Sequence, residues 1–236
     1  MKTAGQRIQD IDWSAVAGRL DELGYAVTQP QLTQQECNQL IRLYADRNVF
    51  RSRIVMQRHN FGSGEYQYFA DPMPSLVLEL REHFYKPLAK IANRWAERLN
   101  QTGLFPPTLA EFLEHCRGKQ QTLPTPLMLR YEKGDYNCLH QDLYGEIAFP
   151  LQAACVLSRE GKDYTGGEFL LTEQRPRMQT RGEAVTIEQG AFIIFPNRWR
   201  PVAGRRGDYR VNMRHGVSRL KSGERYCVGL IFHNAK

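Results

Sequence analysis

The segment Leu129-Arg130-Tyr131-Glu132-Lys133-Gly134-Asp135-Tyr136-Asn137-Cys138-Leu139-His140-Gln141-Asp142 decides how the chain is read. His140 and Asp142 stand two apart, so on an extended chain both side chains project from one face. An imidazole nitrogen beside a carboxylate oxygen supplies two legs of a facial triad, which leaves three positions open on an octahedral iron(II). The third leg has to come from elsewhere. His215, in Asn212-Met213-Arg214-His215-Gly216-Val217-Ser218, is the candidate. A lone His-x-Asp pair equally fits a surface histidine beside a solvated aspartate. Arg225 tips the balance, because it follows His215 and opens the apolar run Tyr226–Phe232, where the last long strand is expected. If Arg225 points inward, Cys227, Gly229 and Ile231 share its face. A buried guanidinium is costly without an anion. Its planar fork suits a carboxylate of a small diacid, with an internal pair to Glu168 as the alternative.

Outward from this segment the texture is strand-like. Short apolar runs bounded by Gly, Pro and charge are expected as strands at Leu127–Tyr131, Phe149–Leu157, Gly167–Leu171, Ala184–Ile187, Ala191–Phe195, Arg210–Gly216 and Tyr226–Phe232. Strands at this density suggest a sandwich, barrel or jelly roll. The first half reads as helical. Trp13, Val16, Ala17, Leu20 and Leu23 recur at helical spacing and Gly24 is placed to end that helix. Tyr25-Ala26-Val27 reads as a short strand. Thr33-Gln34-Gln35-Glu36 has capping-box spacing for a helix reaching about Asp46. A longer helix is expected from Ser75 to about Asn100, kinked or interrupted at Pro87. A short one should follow over Thr108–Cys116. The 50–70 stretch, with two glycines and few apolar anchors, is expected to be a long loop or mobile lid.

The chain has 236 residues, 42% hydrophobic and 24% charged, which excludes disorder and repeats of collagen type. A chain this long buries roughly 70–75% of its unfolded surface, so a core needs no disulfide or metal. No apolar run approaches a membrane span, and the N-terminus turns acidic where a signal peptide turns apolar. Five scattered cysteines without a Cys-x-x-Cys read as reduced thiols of a soluble cytoplasmic protein. The net charge of +7 favours polyanionic partners such as nucleic acid. No linker divides the chain, so one domain over 1–236 is expected. Residues 1–120 would form mainly helical support and lid, and 121–236 the catalytic core.

On these residues the chain resembles the iron(II)/2-oxoglutarate-dependent dioxygenases, through the pattern His-x-Asp…His…Arg between about 127 and 233. Arg130-Tyr131-x-x-Gly134 followed by Leu139-His140-Gln141-Asp142 closely resembles the alkylated-base repair, AlkB-type branch. The runs His140–Glu146, Thr165–Phe169, Glu173–Gln179 and Phe61–Tyr66 resemble a bacterial family within that superfamily. The resemblance implies an α+β fold, a double-stranded β-helix (jelly roll) core with N-terminal flanking helices. It implies iron(II) held by His140, Asp142 and His215, with 2-oxoglutarate as cosubstrate and O2 as oxidant. Arg225 would grip the distal carboxylate of 2-oxoglutarate and Tyr131 would hydrogen-bond it. The implied reaction couples decarboxylation to succinate with hydroxylation of a C–H bond, here oxidative demethylation of an alkylated nucleic-acid base. Two positions depart from the repair enzymes, which carry Asn and Arg where this chain has Leu129 and Ile231. The near carboxylate would then be held by metal and backbone.

For the substrate, Arg51, Arg53, Arg58 and His59 stand beside Phe61, Tyr66, Tyr68 and Phe69, an interleaving of cations and rings that suits a base next to a phosphate. Tyr66, Tyr68 and Phe69 equally fit a core. Arg175, Arg177, Arg181, Arg198, Arg200, Arg205 and Arg206 form a second basic run that would track a backbone or simply face solvent. His83, His115 and His233 read as structural, and Cys138 as packing. The rival readings are a hydroxylase of a protein side chain or small metabolite on the same iron site, and a non-catalytic cupin-like metal sensor.

Overall fold

Helix caps written in the sequence set the N-terminal half. In the computed structural model, which describes residues 2–142 and 145–236, Thr3 and Thr33 close capping boxes with Gln6 and Glu36. The elements run α1 (Ala4–Gln9), α2 (Trp13–Leu23), β1 (Ala26–Val27) and α3 (Gln34–Leu43), then β2 (Phe50–Val55), β3 (Gly62–Ser63) and β4 (Glu65–Phe69). Next come α4 (Ser75–Arg98) and α5 (Leu109–Arg117), the latter opened by a third box between Thr108 and Glu111. Gly24 ends α2 at φ 84°, a left-handed conformation that glycine adopts without strain.

The C-terminal half is strands: β5 (Leu127–Glu132), β6 (Tyr136–His140), β7 (Leu151–Val156), β8 (Tyr164–Gly166) and β9 (Phe169–Gln174). They continue as β10 (Arg181–Val185), β11 (Phe192–Pro196), β12 (Trp199–Gly204), β13 (Gly207–Val217) and β14 (Leu220–Leu230). Among the described residues the larger sheet has the order β1-β11-β7-β14-β5-β4-β2, with β8 beside β14. The smaller has the order β10-β9-β13-β6-β3, with β12 beside β13. The pairings within both are antiparallel. The two sheets make the jelly roll, and the helices cover the outer face of the larger one.

Alternation along the central strands explains both layers. Met128, Ala153, Cys155, Phe192, Ile194, Val228 and Leu230 pack with Leu20, Leu40, Phe84, Tyr85 and Leu88 of the helices. The intervening residues, Tyr131, Val156, Ile193, Phe195 and Cys227, join Leu171, Val211 and Met213 of the smaller sheet. A sheet buried on both faces needs apolar residues at nearly every position, which is why these strands read as continuous runs.

Three expectations are corrected here. The 50–70 stretch is not a loop or lid: β2 pairs with β4, and β4 with β5, so it extends the larger sheet. Phe50 stacks on Phe69 at 5.0 Å and anchors the pair. Gly62 and Gly64, at φ 132° and 121°, let the connection pass close to the backbone at Tyr136 and the Tyr131 ring, where a Cβ would collide. Nor does Pro87 interrupt α4. The helix runs unbroken through it because buried Phe84, Tyr85, Leu88 and Ile91 hold both sides against the sheet. The second expected helix also stops earlier, at Leu43.

The end of the chain is fastened by buried polar groups. Arg81, 1% exposed, donates to the carbonyls of Ile231 (3.1 Å) and Phe232 (2.8 Å) and to Asn234 Oδ1 (2.9 Å). Arg81→Met should therefore cost about 3 kcal/mol or more, because it strands those buried acceptors; urea unfolding checks this. His233 accepts from the Phe149 N–H at 3.2 Å, and burial, aided by Arg81, pushes its pKa down to about 4. The unfolded chain then binds a proton in a window where the folded chain does not. Stability should fall as pH drops from about 6.5 toward 4, by up to about 3 kcal/mol from this group. His233→Asn, compared with the parent by urea unfolding across that window, should show a correspondingly flatter acid loss.

Candidate metal centre and cosubstrate pocket

Antiparallel pairing brings His140 and His215 together. Residue 215 on β13 lies opposite residue 140 at the end of β6, and the two rings stand 4.2 Å apart between centroids. Asp142 follows two residues later, off the end of the strand, and its carboxylate sits between them. Asp142 Oδ1 is 3.6 Å from His140 Nε2 and Oδ2 is 3.2 Å from His215 Nε2. One donor atom from each of the three lies within 4.8 Å of the others.

The surroundings fix this geometry. The His140 Nδ1–H donates to the Cys138 carbonyl at 2.8 Å, which leaves Nε2 with a free lone pair aimed at the cluster. Phe169 and Phe195 flank the His215 ring at 5.9 and 4.7 Å. Gln141, between His140 and Asp142, donates to the carbonyls of Met213 (2.8 Å) and Arg198 (3.2 Å) and ties the segment to its neighbours. Burial, followed by the neighbouring His215, lowers the pKa of His140. Burial alone would raise the Asp142 carboxyl, but His215, His140 and Gln152 hold it well below the usual carboxylate range. Asp142 is therefore a carboxylate near neutral pH and His140 a neutral imidazole, the forms that bind metals.

These groups open into a cavity of about 370 Å³ that also contains Arg225 and Tyr131. Residues 225 and 131 are directly opposed in the β14–β5 pair, so both point between the sheets. Arg225 is 3% exposed, with its guanidinium carbon 5.8 Å from the ring centroids of both Tyr131 and Tyr164. Its Nε is buried with no hydrogen-bond partner. Asn137 lies beside the buried Tyr131 hydroxyl, which itself makes no hydrogen bond. The alternative of an Arg225–Glu168 ion pair is not observed: the Glu168 carboxylate accepts from Ser218 Oγ. Cys227, Gly229 and Ile231 line the same cavity as Arg225, and Leu129 lies across from them.

The expected substrate residues divide. Tyr66 lines the cavity, as does Phe61, whose ring is 47% exposed and stacks on His59 at 5.3 Å. Tyr68 does not line it: it packs with Leu127 and Ile231 and lies beneath the Arg51 guanidinium. Arg53 pairs with Glu65, and Arg58 sits in the short 3-10 turn Met56–His59 without an ion pair among the described residues. Arg175 is held by Glu173 at 2.6 Å, and Arg177 is an exposed turn residue at φ 61°. Arg200, read as part of a surface run, is 1% exposed and donates to Glu173 and to the Asp21 carbonyl. Within the run His140–Glu146, Leu143 and Tyr144 lie outside the described residues.

Gln152, Asn137 and Tyr164 were missed by sequence reasoning. Gln152 had a signal: it is a polar residue in the otherwise apolar run Phe149–Leu157, and it lines the cavity at 5% exposure. Tyr164 carried none, since only strand pairing brings it to the site, and Asn137 stood unmarked in the segment three residues before His140.

No described helix is long and apolar enough to cross a membrane. A family model described as "Oxygenase, catalysing oxidative methylation of damaged DNA" (Oxygenase-NA) matches residues 64–235. Two Mycobacterium tuberculosis sequences, the uncharacterized proteins MT2286 and Rv2227, are each 47% identical over 167 residues, 71% of this chain and 72% of theirs. Among solved structures, a Pseudomonas putida prolyl-4-hydroxylase aligns with TM-score 0.52 and 14% identity over 95% of this chain and 99% of that one. A 2OG-Fe(II) oxygenase family oxidoreductase from Burkholderia pseudomallei aligns with TM-score 0.55 and 13% identity, covering 96% and 94%. The fold is thus the α+β jelly roll of the 2OG-Fe(II) oxygenases, and the chain belongs to the Oxygenase-NA family of oxygenases.

Proposed function

We propose that this chain is an iron(II)/2-oxoglutarate-dependent oxygenase that acts on alkylated nucleic-acid bases. The observation that carries the reading is the pairing, in one cavity, of three converging metal donors with a buried guanidinium that makes no ion pair among the described residues. The donor chemistry fits iron(II): two imidazole nitrogens and a carboxylate that is held ionised. The orphaned Nε of Arg225 and the unbonded Tyr131 hydroxyl fit a carboxylate of 2-oxoglutarate.

In this reading His140, Asp142 and His215 hold the metal, and the Cys138 carbonyl keeps His140 in the ligating tautomer. Arg225 binds the distal carboxylate and Tyr131 donates a hydrogen bond beside it. With Leu129 and Ile231 apolar, the near end of the cosubstrate is left to the metal and backbone. Iron(II) with 2-oxoglutarate and O2 supplies the oxidising chemistry, hydroxylating a C–H bond while 2-oxoglutarate becomes succinate and carbon dioxide. Phe61 and Tyr66, at the cavity, present ring faces to a flat base drawn out of its stack. Hydroxylation of an N-methyl group gives a hemiaminal that breaks its C–N bond to release formaldehyde and the restored amine. All of 1–236 works as one domain, the helices backing the sheet that carries Arg225. The free cysteines support the reducing cytoplasm as its compartment.

The nucleic-acid substrate is supported by the description of the family model and by the charge of +7. The second reading, a hydroxylase of protein side chains, is favoured by the prolyl-4-hydroxylase among the fold neighbours. Succinate release with iron(II) and 2-oxoglutarate, with and without a methylated single-stranded oligonucleotide, separates them. Stimulated succinate with matching formaldehyde is expected, and His215→Ala should abolish both. Oligonucleotide-independent succinate would move the substrate to peptides or metabolites. Arg225→Gln should raise the 2-oxoglutarate requirement by about a hundredfold, as loss of a buried charge contact does; an unchanged requirement would remove Arg225 from cosubstrate binding.

A further inference from the structure

The outer face of the smaller sheet carries cations that no described residue neutralises. Along β13, Val211, Met213 and His215 are buried, while Arg210, Asn212 and Arg214 alternate with them and are exposed. Trp199 on β12 pairs with Asn212 and shares its face. Two guanidinium groups rest over the Trp199 ring, that of Arg198 at 3.8 Å and that of Arg210 at 5.0 Å. Among the neighbouring arginines of the same basic stretches, Arg175 and Arg200 are spent on Glu173 and Arg181 on Glu183, while Arg177, Arg205 and Arg206 are exposed off this face. Arg198, Arg210 and Arg214 have no ion pair among the described residues. The residues beside Asn212 and Arg214 on β9 are Gln174 and Thr172, both uncharged, and Asp208 further along β13 is taken by Arg98 at 2.6 Å.

The cavity lies on the opposite face of this sheet, and the two are linked at Gln141. Arg214 precedes His215 on the same strand, and Gln141, which lines the cavity, is bonded to the carbonyls of Arg198 and Met213. Arg210 and Arg214 are four residues apart on an extended strand, roughly 13 Å, a separation that suits repeated anions better than a single one. Arginine stacked on an indole keeps its charge and its fork of donors while being held in place, a good arrangement for phosphate.

We propose that this face, centred on Trp199 and bearing Arg198, Arg210 and Arg214, docks the phosphodiester backbone of the nucleic-acid strand whose base enters the cavity. The inference rests on the nucleic-acid reading above and adds the surface that would hold the strand. Its contacts would position the strand and carry no sequence information.

Binding of a fluorescently labelled single-stranded oligonucleotide, followed by anisotropy against salt, tests it. Each lost phosphate contact lowers the slope of log affinity against log salt by about 0.7 for single strands. Arg210→Gln/Arg214→Gln should therefore reduce the slope by roughly 1.4 and weaken low-salt binding at least about tenfold. Arg19→Gln/Arg42→Gln, which removes the same charge from the helical side, should leave the slope near the parent value. Thermal unfolding verifies that both variants are folded. Parent-like binding by the first variant overturns the surface while leaving the oligonucleotide-stimulated turnover, and so the substrate class, standing. Equal weakening by both variants also overturns it, since net charge would then explain the attraction. No binding by the parent, joined to unstimulated succinate release, overturns the substrate reading and this surface together.

Discussion

A guanidinium buried at 3% exposure, with no ion pair among the described residues, is the constraint around which this fold is arranged. A lone charge removed from water is costly, and the faces of Tyr131 and Tyr164 offset only part of that cost. Arg225 can stay buried only because its strand cannot turn over. β14 is paired on both sides, with β5 and with β7, and a one-residue slip would drive Arg225 into the helical core and Cys227's neighbours into the cavity. The helices supply the penalty against that slip, since Val228 and Leu230 are sealed beneath them. Thus the N-terminal half, which places no metal donor near the triad, fixes the orientation of the arginine in the wall of the cavity.

The two sheets contribute different chemistry. The smaller sheet brings the nitrogen and carboxylate donors, and the larger sheet brings the cation. Stacked sheets lie about 10 Å apart, close enough for a molecule the size of a five-carbon diacid to span from one to the other. Neither sheet could make such a site alone, because a single sheet face directs all its side chains the same way. Packing of Phe169 and Phe195 against His215 keeps the ring from swinging, so the donors are held before any metal arrives.

The parts legible in the sequence are those governed by short-range rules. His140 and Asp142 share a face because they are two apart on a chain leaving a strand. The Thr33–Glu36 and Thr108–Glu111 spacings close caps, and Gly24 takes the left-handed position its place after an amphipathic run requires. The inward turn of Arg225 follows from period-two alternation. The illegible parts are set by distant partners. The 50–70 stretch lacks a strong apolar alternation because β2 points Arg51 and Arg53 outward, and it becomes a strand only when β5 offers β4 an edge. Pro87 is carried by the packing of residues on both sides of it. Tyr164 reaches the site through the pairing of β8 with β14, strands far apart in sequence, which no local pattern encodes.

The arginines show the same distinction at the level of single residues. Arg198 and Arg200 belong to one basic run, yet the first lies over Trp199 and the second is sealed at 1% exposure against Glu173. Strand β12 begins between them, so the pairing of Trp199 with Asn212 fixes Trp199 outward and Arg200 inward, opposite Val211. Composition counts both as positive charge, but only one contributes to the field outside the protein. Arg175, Arg181 and Arg200 are each matched by a glutamate, whereas Arg198, Arg210 and Arg214, with no ion pair among the described residues, cluster where β13 turns its polar face outward. A net charge of +7 therefore understates how local the attraction is. Its position, backing the strand that carries His215, follows from the same alternation that points the histidine into the cavity.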